Sequence, residues 1–183
     1  MMRYLIACLI LLWVMGACIE TPKEGLQPAI TPYFDLKAYM SAEMERLGER
    51  ENVRKVAVVN GKREEQTTAT FKPDTELAIF ADADINRTAW LDKYRSDSLR
   101  SNDGQLQQLI YTALDSQLIT KRLAIDFNSR AEVSQIRIDQ SDLSRVADNR
   151  KVLIYEPQRG YQIRSRQDVL LVGENELKLE VLF

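Results

Sequence analysis

The sequence predicts an α+β fold, in which an N-terminal helix and further short helices pack on an antiparallel sheet with a C-terminal β-meander. Three observations lead to this prediction. Apolar residues repeat with helical spacing after residue 35, an Asn60-Gly61 pair separates two extended stretches, and apolar and polar residues alternate over most of the C-terminal half. With 183 residues, 45% hydrophobic and 28% charged, the chain suits one globular domain plus short extras.

The first predicted helix runs over residues 35–49. Asp35 is placed to cap its start, and Gly48 marks its end. Its apolar residues fall on one stripe: Leu36, Tyr39, Met40, Met44 and Leu47. Such a stripe could dock to a partner or a membrane, but it more often covers the domain's own sheet, so we expect it to face the core.

Asn60-Gly61 is the strongest short hairpin signal in the chain, because both residues tolerate positive φ. The arm that follows, residues 62–68, has almost no apolar face. We therefore expect an exposed edge strand whose charges guard against pairing with another chain.

Residues 74–94 are predicted to form two short helices, the first capped by Asp74 after Pro73. Trp90, in the second, is expected to pack in the core, with a ligand-stacking platform as the alternative. A polar loop is expected over residues 96–105.

Most of the remaining chain has the alternation of half-buried antiparallel strands, as in Leu123, Ile125 and Phe127. Hairpin-sized gaps at 128–130, 157–160 and 173–175 divide it into a predicted meander of five or six strands. Because the last strand would end at Phe183, we expect this terminal side chain to be buried.

Residues 1–17 are predicted to be a secretory signal peptide, since Arg3 precedes an apolar run over 4–15 and small residues follow it. The run is shorter than the roughly 20 residues that span a bilayer. Met15-Gly16-Ala17-Cys18 resembles the bacterial lipobox, with Met15 in place of the usual leucine. The resemblance implies a lipoprotein in which cleavage leaves Cys18 as the first residue, carrying fatty acyl chains such as palmitate.

The lipobox resemblance also implies a location. Two or three acyl chains hold a protein on a membrane essentially permanently. An Asp directly after Cys18 would resemble an inner-membrane retention signal, but this position holds Ile19, so the outer membrane is favoured. The sequence does not distinguish the periplasmic face of that membrane from its outer surface.

Residues 18–32 contain three prolines and no apolar periodicity, so we expect an extended tether, followed by a single domain over residues 33–183. The stretch Tyr33-Phe34-Asp35-Leu36 that opens this domain resembles the start of small cell-envelope lipoproteins, and the resemblance implies no particular activity.

The composition excludes most catalytic chemistry. The chain has no histidine, and its two cysteines, Cys8 and Cys18, lie in the predicted signal peptide and lipobox. Ser-His-Asp and Cys-His nucleophiles and metal sites built on His or Cys are therefore excluded. We expect no cofactor, no metal and no catalytic residue. A net charge of −2 also makes nucleic acid an improbable partner.

One acidic segment copies the opening of a calcium-binding loop, at Asp82, Asp84 and Asn86. Arg87 stands where that loop needs a glycine, and Lys93 where it needs a bidentate glutamate. An EF-hand is excluded, and we expect the three residues to end one helix and cap the next.

A locally basic stretch is the candidate ligand face, for an anionic polymer or a lipid headgroup. Its residues are Arg145, Arg150, Lys151, Tyr155, Arg159, Tyr161, Arg164 and Arg166. A solvated sheet face is the plainer interpretation, because strand alternation points Tyr161 and Arg164 in opposite directions.

Together these features predict a membrane-anchored, non-catalytic lipoprotein that acts as a binding or assembly accessory of the cell envelope. Its predicted partners are the membrane, through lipid at Cys18, and an envelope protein or polymer. Two alternatives stay open. A lipid or lipoprotein carrier would need an apolar cavity under the sheet, and a carboxylate-based hydrolase would need two acids roughly 5–10 Å apart in an open cleft.

Overall fold

A computed structural model describes residues 32–171 and 173–183 of the chain. The predicted signal peptide, the predicted lipidation site Cys18 and nearly all of the predicted tether lie outside these residues. Helix α1 spans Leu36–Leu47 and is capped by Asp35, whose Oδ1 accepts the Ala38 N–H at 2.9 Å. The helix ends at Gly48, which adopts φ +57° and donates its N–H to Met44 O. Gly48 is therefore the end of the helix, as the sequence predicted.

Nine antiparallel strands form one sheet, which is the main feature of the fold. They are β1 Val53–Val59, β2 Lys62–Thr68, β3 Tyr94–Arg100, β4 Leu106–Ala113, β5 Thr120–Phe127, β6 Val133–Leu143, β7 Ala147–Glu156, β8 Gly160–Val169 and β9 Gly173–Leu182. Their order across the sheet is β2-β1-β9-β8-β7-β6-β5-β4-β3. The predicted helix-plus-sheet class is present, with β2 at one edge as expected.

Two local predictions were wrong. The first half of the polar loop expected over 96–105 is strand, because β3 runs to Arg100 and pairs with β4 as a hairpin at the outer edge of the meander, and only residues 101–105 form the loop. The turn expected at 173–175 lies inside β9, which begins at Gly173.

The segment between β2 and β3 carries three short helical pieces: α2 over Pro73–Glu76, α3 over Ala78–Ala81 and a 3-10 helix over Thr88–Trp90. Asp74 is not the cap of α2, because that helix begins one residue earlier, at Pro73. Trp90 is partly buried rather than enclosed in the core, and the Arg87 guanidinium lies 4.4 Å from the centre of its ring.

The inward face of the sheet, defined as the face that packs against α1, α2 and α3, holds the core. Register places Tyr155 between Ile136 and Tyr161, so all three side chains point to this face. They pack against apolar helix residues such as Leu36 and Phe80, and the whole set is almost fully buried. The opposite, outward face is polar and carries cross-strand ion pairs such as Arg166–Glu174.

The sheet has two different ends. The β1–β2, β4–β5, β6–β7 and β8–β9 connections lie at one end, the entry end. The first described residues also lie at this end, because the Tyr33 hydroxyl donates to Leu91 O at 2.7 Å, just before the start of β3. At the distal end lie the β3–β4, β5–β6 and β7–β8 connections. Phe183 reaches this distal end and packs against Phe71, with ring centroids 5.2 Å apart.

Within residues 32–171 and 173–183, no helix has the length and apolar character needed to cross a bilayer.

Candidate binding cleft

A concavity with a volume of about 710 Å³ opens at the distal end, between α1 and the β5–β6 and β7–β8 connections. Helix α1 supplies one wall through Tyr39, Glu43 and Arg46. Their spacing of four and three residues places them on one side of the helix. The amphipathic pattern of α1 thus orients both its apolar stripe and this polar wall.

Glu43 is the central polar group of the cleft and is only 8% exposed. Arg46 donates to both of its oxygens at 2.8 Å, through Nε and one terminal guanidinium nitrogen. From below, the Tyr155 hydroxyl donates to Oε2 at 2.6 Å. Burial by itself would raise the pKa of Glu43, but the hydrogen bonds from Arg46 and Tyr155 and the Arg46 charge outweigh it and hold this pKa below its ordinary value.

Arg46 also fixes the shape of the cleft. Its guanidinium donates to Pro157 O at 2.9 Å and so ties α1 to the β7–β8 connection. Because a single guanidinium bridges Glu43 and the backbone of the opposite wall, the two walls are held at a set distance.

The rim carries two further acid–base pairs. Arg130 contacts Glu132 at 3.0 Å, and Asn128 donates to the same carboxylate at 2.9 Å. The Asn128 hydrogen bond, with the Arg130 charge, lowers the pKa of Glu132. Arg159 lies 3.6 Å from Glu156, the longer and therefore the looser of the two rim pairs.

Apolar surface lies between these pairs. The ring of Tyr39 is half-buried and packs against Phe34, with centroids 5.6 Å apart. Burial, and next the charge of Glu43, raises the pKa of Tyr39, so its hydroxyl stays protonated near neutral pH. Val133 and Pro157 add aliphatic surface beside the ring. The cleft therefore combines one aromatic face with both hydrogen-bond donors and acceptors.

A second tyrosine–glutamate contact lies next to the first. Tyr161 donates to Glu76 of α2 at 2.5 Å, and Glu76 is also ion-paired with Lys55 of β1. Tyr155 and Tyr161 are Cα partners in the sheet, so two adjacent tyrosines each fasten one helix to the inward face.

The cleft carries no net charge, and each of its carboxylates is paired with an arginine. Glu43, Glu132 and Glu156 each contact an arginine. Across the described part of the chain, no group of three or more Asp, Glu, His or Cys side chains is placed to hold a metal ion. Asn86, from the segment that copies a calcium loop, instead bonds the backbone of Tyr33 and Phe34.

The candidate ligand face predicted from the sequence is divided among several surfaces. Tyr155 and Tyr161 are buried on the inward face, whereas Arg164, together with Arg150 and Arg166, belongs to the outward face by register. Lys151 shares the inward face by register, and Arg145 lies in the β6–β7 connection. Arg159 alone of the eight lines the cleft.

Sequence reasoning did not select Tyr39, Glu43 and Arg46. Tyr39 falls on the predicted apolar stripe of the helix, and Glu43 and Arg46 fall outside that stripe. The spacing of four and three residues on α1 was the available signal, but Glu43 becomes distinctive only through Tyr155, which is 112 residues away in sequence.

Comparison with known proteins gave no match. No family model, no curated protein and no solved structure is significantly similar to this chain. The function proposed below therefore depends on the residues of this chain and their arrangement.

Proposed function

We propose that the protein is a lipid-anchored, non-catalytic binding accessory of the bacterial cell envelope, held on a membrane through Cys18. Its binding site is the distal cleft, and its ligand is an uncharged, hydroxyl-rich polymer segment such as an oligosaccharide. The anchor rests on the resemblance of Met15-Gly16-Ala17-Cys18 to a lipobox.

The observation that carries the binding role is the pairing of every carboxylate that lines the cleft. Glu43, Glu132 and Glu156 each contact an arginine. Their hydrogen bonds to neighbouring side chains and the nearby arginine charges lower the pKa values of Glu43 and Glu132. A glycoside hydrolase needs an acid whose pKa is raised so that it can protonate the leaving oxygen. These carboxylates suit hydrogen-bond acceptance better than proton transfer, which favours binding over hydrolysis.

The class of ligand follows from charge and shape. Three arginines and three glutamates leave the cleft with no net charge, so it gives little attraction to a strongly anionic polymer. Fixed guanidinium and carboxylate groups present planar pairs of donors and acceptors, which match neighbouring hydroxyls. The Tyr39 ring beside them can pack against the C–H face of a sugar ring.

The packing of the inward face of the sheet gives little support to the alternative function, a lipid or lipoprotein carrier. The large inward-facing side chains of the central strands, such as Leu153 and Ile138, are fully buried against the helices. This part of the inward face is filled, whereas a lipid carrier needs an open apolar hollow.

The anchor is tested by the intact mass of protein extracted from membranes. A mass that begins at residue 18 and includes acyl chains is expected for the native chain. A Cys18→Ser variant is expected to lose the acyl chains and the membrane association but to keep the folded domain. An uncut or unlipidated native chain would refute the anchor.

The cleft is tested by calorimetric titration of the purified full-length protein with hexamers of glucose and of N-acetylglucosamine. Tyr39→Ala removes the aromatic face and is expected to weaken binding by about tenfold or more, which corresponds to about 1.4 kcal/mol. Tyr39→Phe keeps the ring and is the matched control, expected to bind nearly as the native protein does. Absence of binding to both hexamers, or equal binding by both variants, would contradict the proposed ligand class.

A further inference from the structure

The exposed hydrophobic residues of the described chain are concentrated at one end of the sheet. Ten large apolar side chains are exposed, and nine of them lie at or next to the entry end. These nine are Val59, Leu91, Leu114, Ile119, Leu143, Val146, Leu170, Leu171 and Leu177. The tenth, Leu99, lies on β3 near the distal end. Single exposed leucines are ordinary, but a cluster of this kind marks an interaction surface.

Four of these side chains form the apolar tip, defined as Leu143, Val146, Leu170 and Leu171. They are 64%, 61%, 65% and 99% exposed, respectively. The Leu170 N–H donates to Val146 O at 3.0 Å, so the β6–β7 and β8–β9 connections are held side by side. The tip is thus a fixed feature of two bonded hairpins.

The tip projects beyond the start of the neighbouring strand β5. Thr120, at the start of β5, is the partner of Gln140 in β6, and β6 continues to Leu143. With the following turn, these residues extend about 13 Å past the level of Thr120. The two concavities beside the tip are lined by polar residues behind it and by Ile119, and none of its four apolar side chains lines them. A projection of this kind can enter a fluid layer.

The course of the chain indicates which layer this is. The described residues begin at the entry end, where the Tyr33 hydroxyl bonds Leu91 O. The roughly 15 residues between Cys18 and this point are the predicted tether, so a lipid at Cys18 keeps the entry end within reach of the bilayer.

The charges behind the tip fit the surface of a bilayer. Arg145 is exposed in the turn between Leu143 and Val146. Further back, Arg150 pairs with Asp148 at 2.9 Å and Arg166 with Glu174 at 2.7 Å. Asp142 and Asp168 are also exposed at this level, so three arginines stand beside four carboxylates and the surroundings of the tip carry little net charge. The Arg145 guanidinium lies nearest to the apolar residues and can lie at the depth of lipid phosphates.

We propose that the apolar tip inserts into the interfacial region of the same bilayer that holds the lipid anchor. The inference rests on the proposed lipidation. Insertion of such a tip reaches about 5–10 Å, to the boundary of headgroups and acyl chains. The eleven-residue strand β6 then holds the distal cleft roughly 35 Å from the surface. Anchor and tip together fix the orientation of the domain, and the cleft faces away from the membrane.

The experiment places one fluorescent label at the tip. In the lipidated chain that begins at residue 18, the Cys18 sulfur carries the lipid and no free thiol remains, so Leu171→Cys adds a single site for a nitrobenzoxadiazole label. Leu99→Cys is the matched control, an exposed leucine at the other end of the sheet. Both lipidated proteins are reconstituted in phosphatidylcholine vesicles, with and without doxyl-labelled lipid.

Several-fold greater quenching by doxyl lipid at residue 171 than at residue 99 is expected. Equal quenching at the two residues, with the label at 171 open to aqueous iodide, would overturn the proposal. A label at 171 that is shielded from iodide without vesicles, and that doxyl lipid does not quench, would assign the tip to a second copy of the chain and also overturn it. The intact mass of each sample is measured as well, so that failure of the anchor can be recognised. An unlipidated chain would lack the mass of the acyl chains and would carry a second label on Cys18.

Discussion

Replacing Tyr155 with phenylalanine tests how helix α1 is fastened to the sheet. The ring of Tyr155 is fully buried, and its hydroxyl donates to Glu43 Oε2 at 2.6 Å. Phenylalanine keeps the ring and removes this one contact. A hydrogen bond to a charged group contributes about 1.5–3 kcal/mol, so we expect Tyr155→Phe to lower the free energy of unfolding by that amount at pH 7. For a domain of this size, each kcal/mol lowers Tm by roughly 2–4 °C.

The loss of unfolding free energy caused by Tyr155→Phe should depend on pH, in the direction set by the titration of Glu43. Its folded-state pKa lies below the ordinary value of 4.5. A carboxyl with a lowered pKa contributes stability that is present above its unfolded-state pKa and is lost as the pH falls through the folded-state pKa. Once Glu43 is protonated, the bond to Tyr155 is a neutral one worth about 1 kcal/mol. The cost of Tyr155→Phe should therefore shrink below about pH 4.5.

Urea denaturation followed by circular dichroism, over a pH series from 7 downward, measures this cost. Glu43→Gln supplies the control background, because an uncharged amide in place of the carboxylate should make the cost of Tyr155→Phe independent of pH. A cost below about 0.5 kcal/mol at pH 7, or one that does not change on acidification in the native background, would show that this contact does not fasten α1.

Two further predictions concern the sheet. In Gly160→Ala, the new Cβ would lie 1.9 Å from the backbone oxygen of Val181, so we expect urea denaturation to show a free energy of unfolding lower by more than about 3 kcal/mol. The control Gly104→Ala has a positive φ but open space around it, and we expect it to lower the free energy of unfolding by about 1 kcal/mol. Equal losses in the two variants would contradict this reasoning. The double variant Glu64→Val/Gln66→Val removes polar side chains from the exposed edge strand β2, so light scattering should show concentration-dependent association. The control Lys37→Val/Glu45→Val changes the exposed side of α1 and should stay monomeric. Association of both variants or of neither would refute the role of the edge.

The sequence predicted those parts of the fold that depend on local patterns. The cap at Asp35, the Asn60-Gly61 turn and the alternation of β5 all follow from neighbouring residues. Strand β3 was missed because Tyr94 is its one buried residue, so the strand at the sheet's edge lacks an apolar face. The turn after β8 was missed because Leu170 and Leu171 are apolar, and apolar residues usually mark strands rather than turns.

The candidate cleft was less predictable, for a physical reason. Glu43 has the sequence context of a solvated helix residue, and its burial results from Tyr155 and from the turn at Pro157, more than 100 residues further along the chain. The basic stretch from Arg145 to Arg166 appeared coherent in sequence, but a two-residue strand period sends alternate side chains to opposite faces. Contacts distant in sequence thus formed the cleft and divided the predicted ligand face.

The position of β9 within the sheet constrains the order of folding. The last strand of the chain lies between β1 and β8, so the β1–β2 hairpin has its sheet partner only when residues 173–182 are available. Consecutive hairpins from β3 to β8 close short loops, whereas β1 must wait for a strand more than 110 residues downstream. During synthesis, the β1–β2 hairpin therefore exposes the strand edge that β9 will cover until residues 173–182 have emerged. In that period a chaperone would have a defined site to protect.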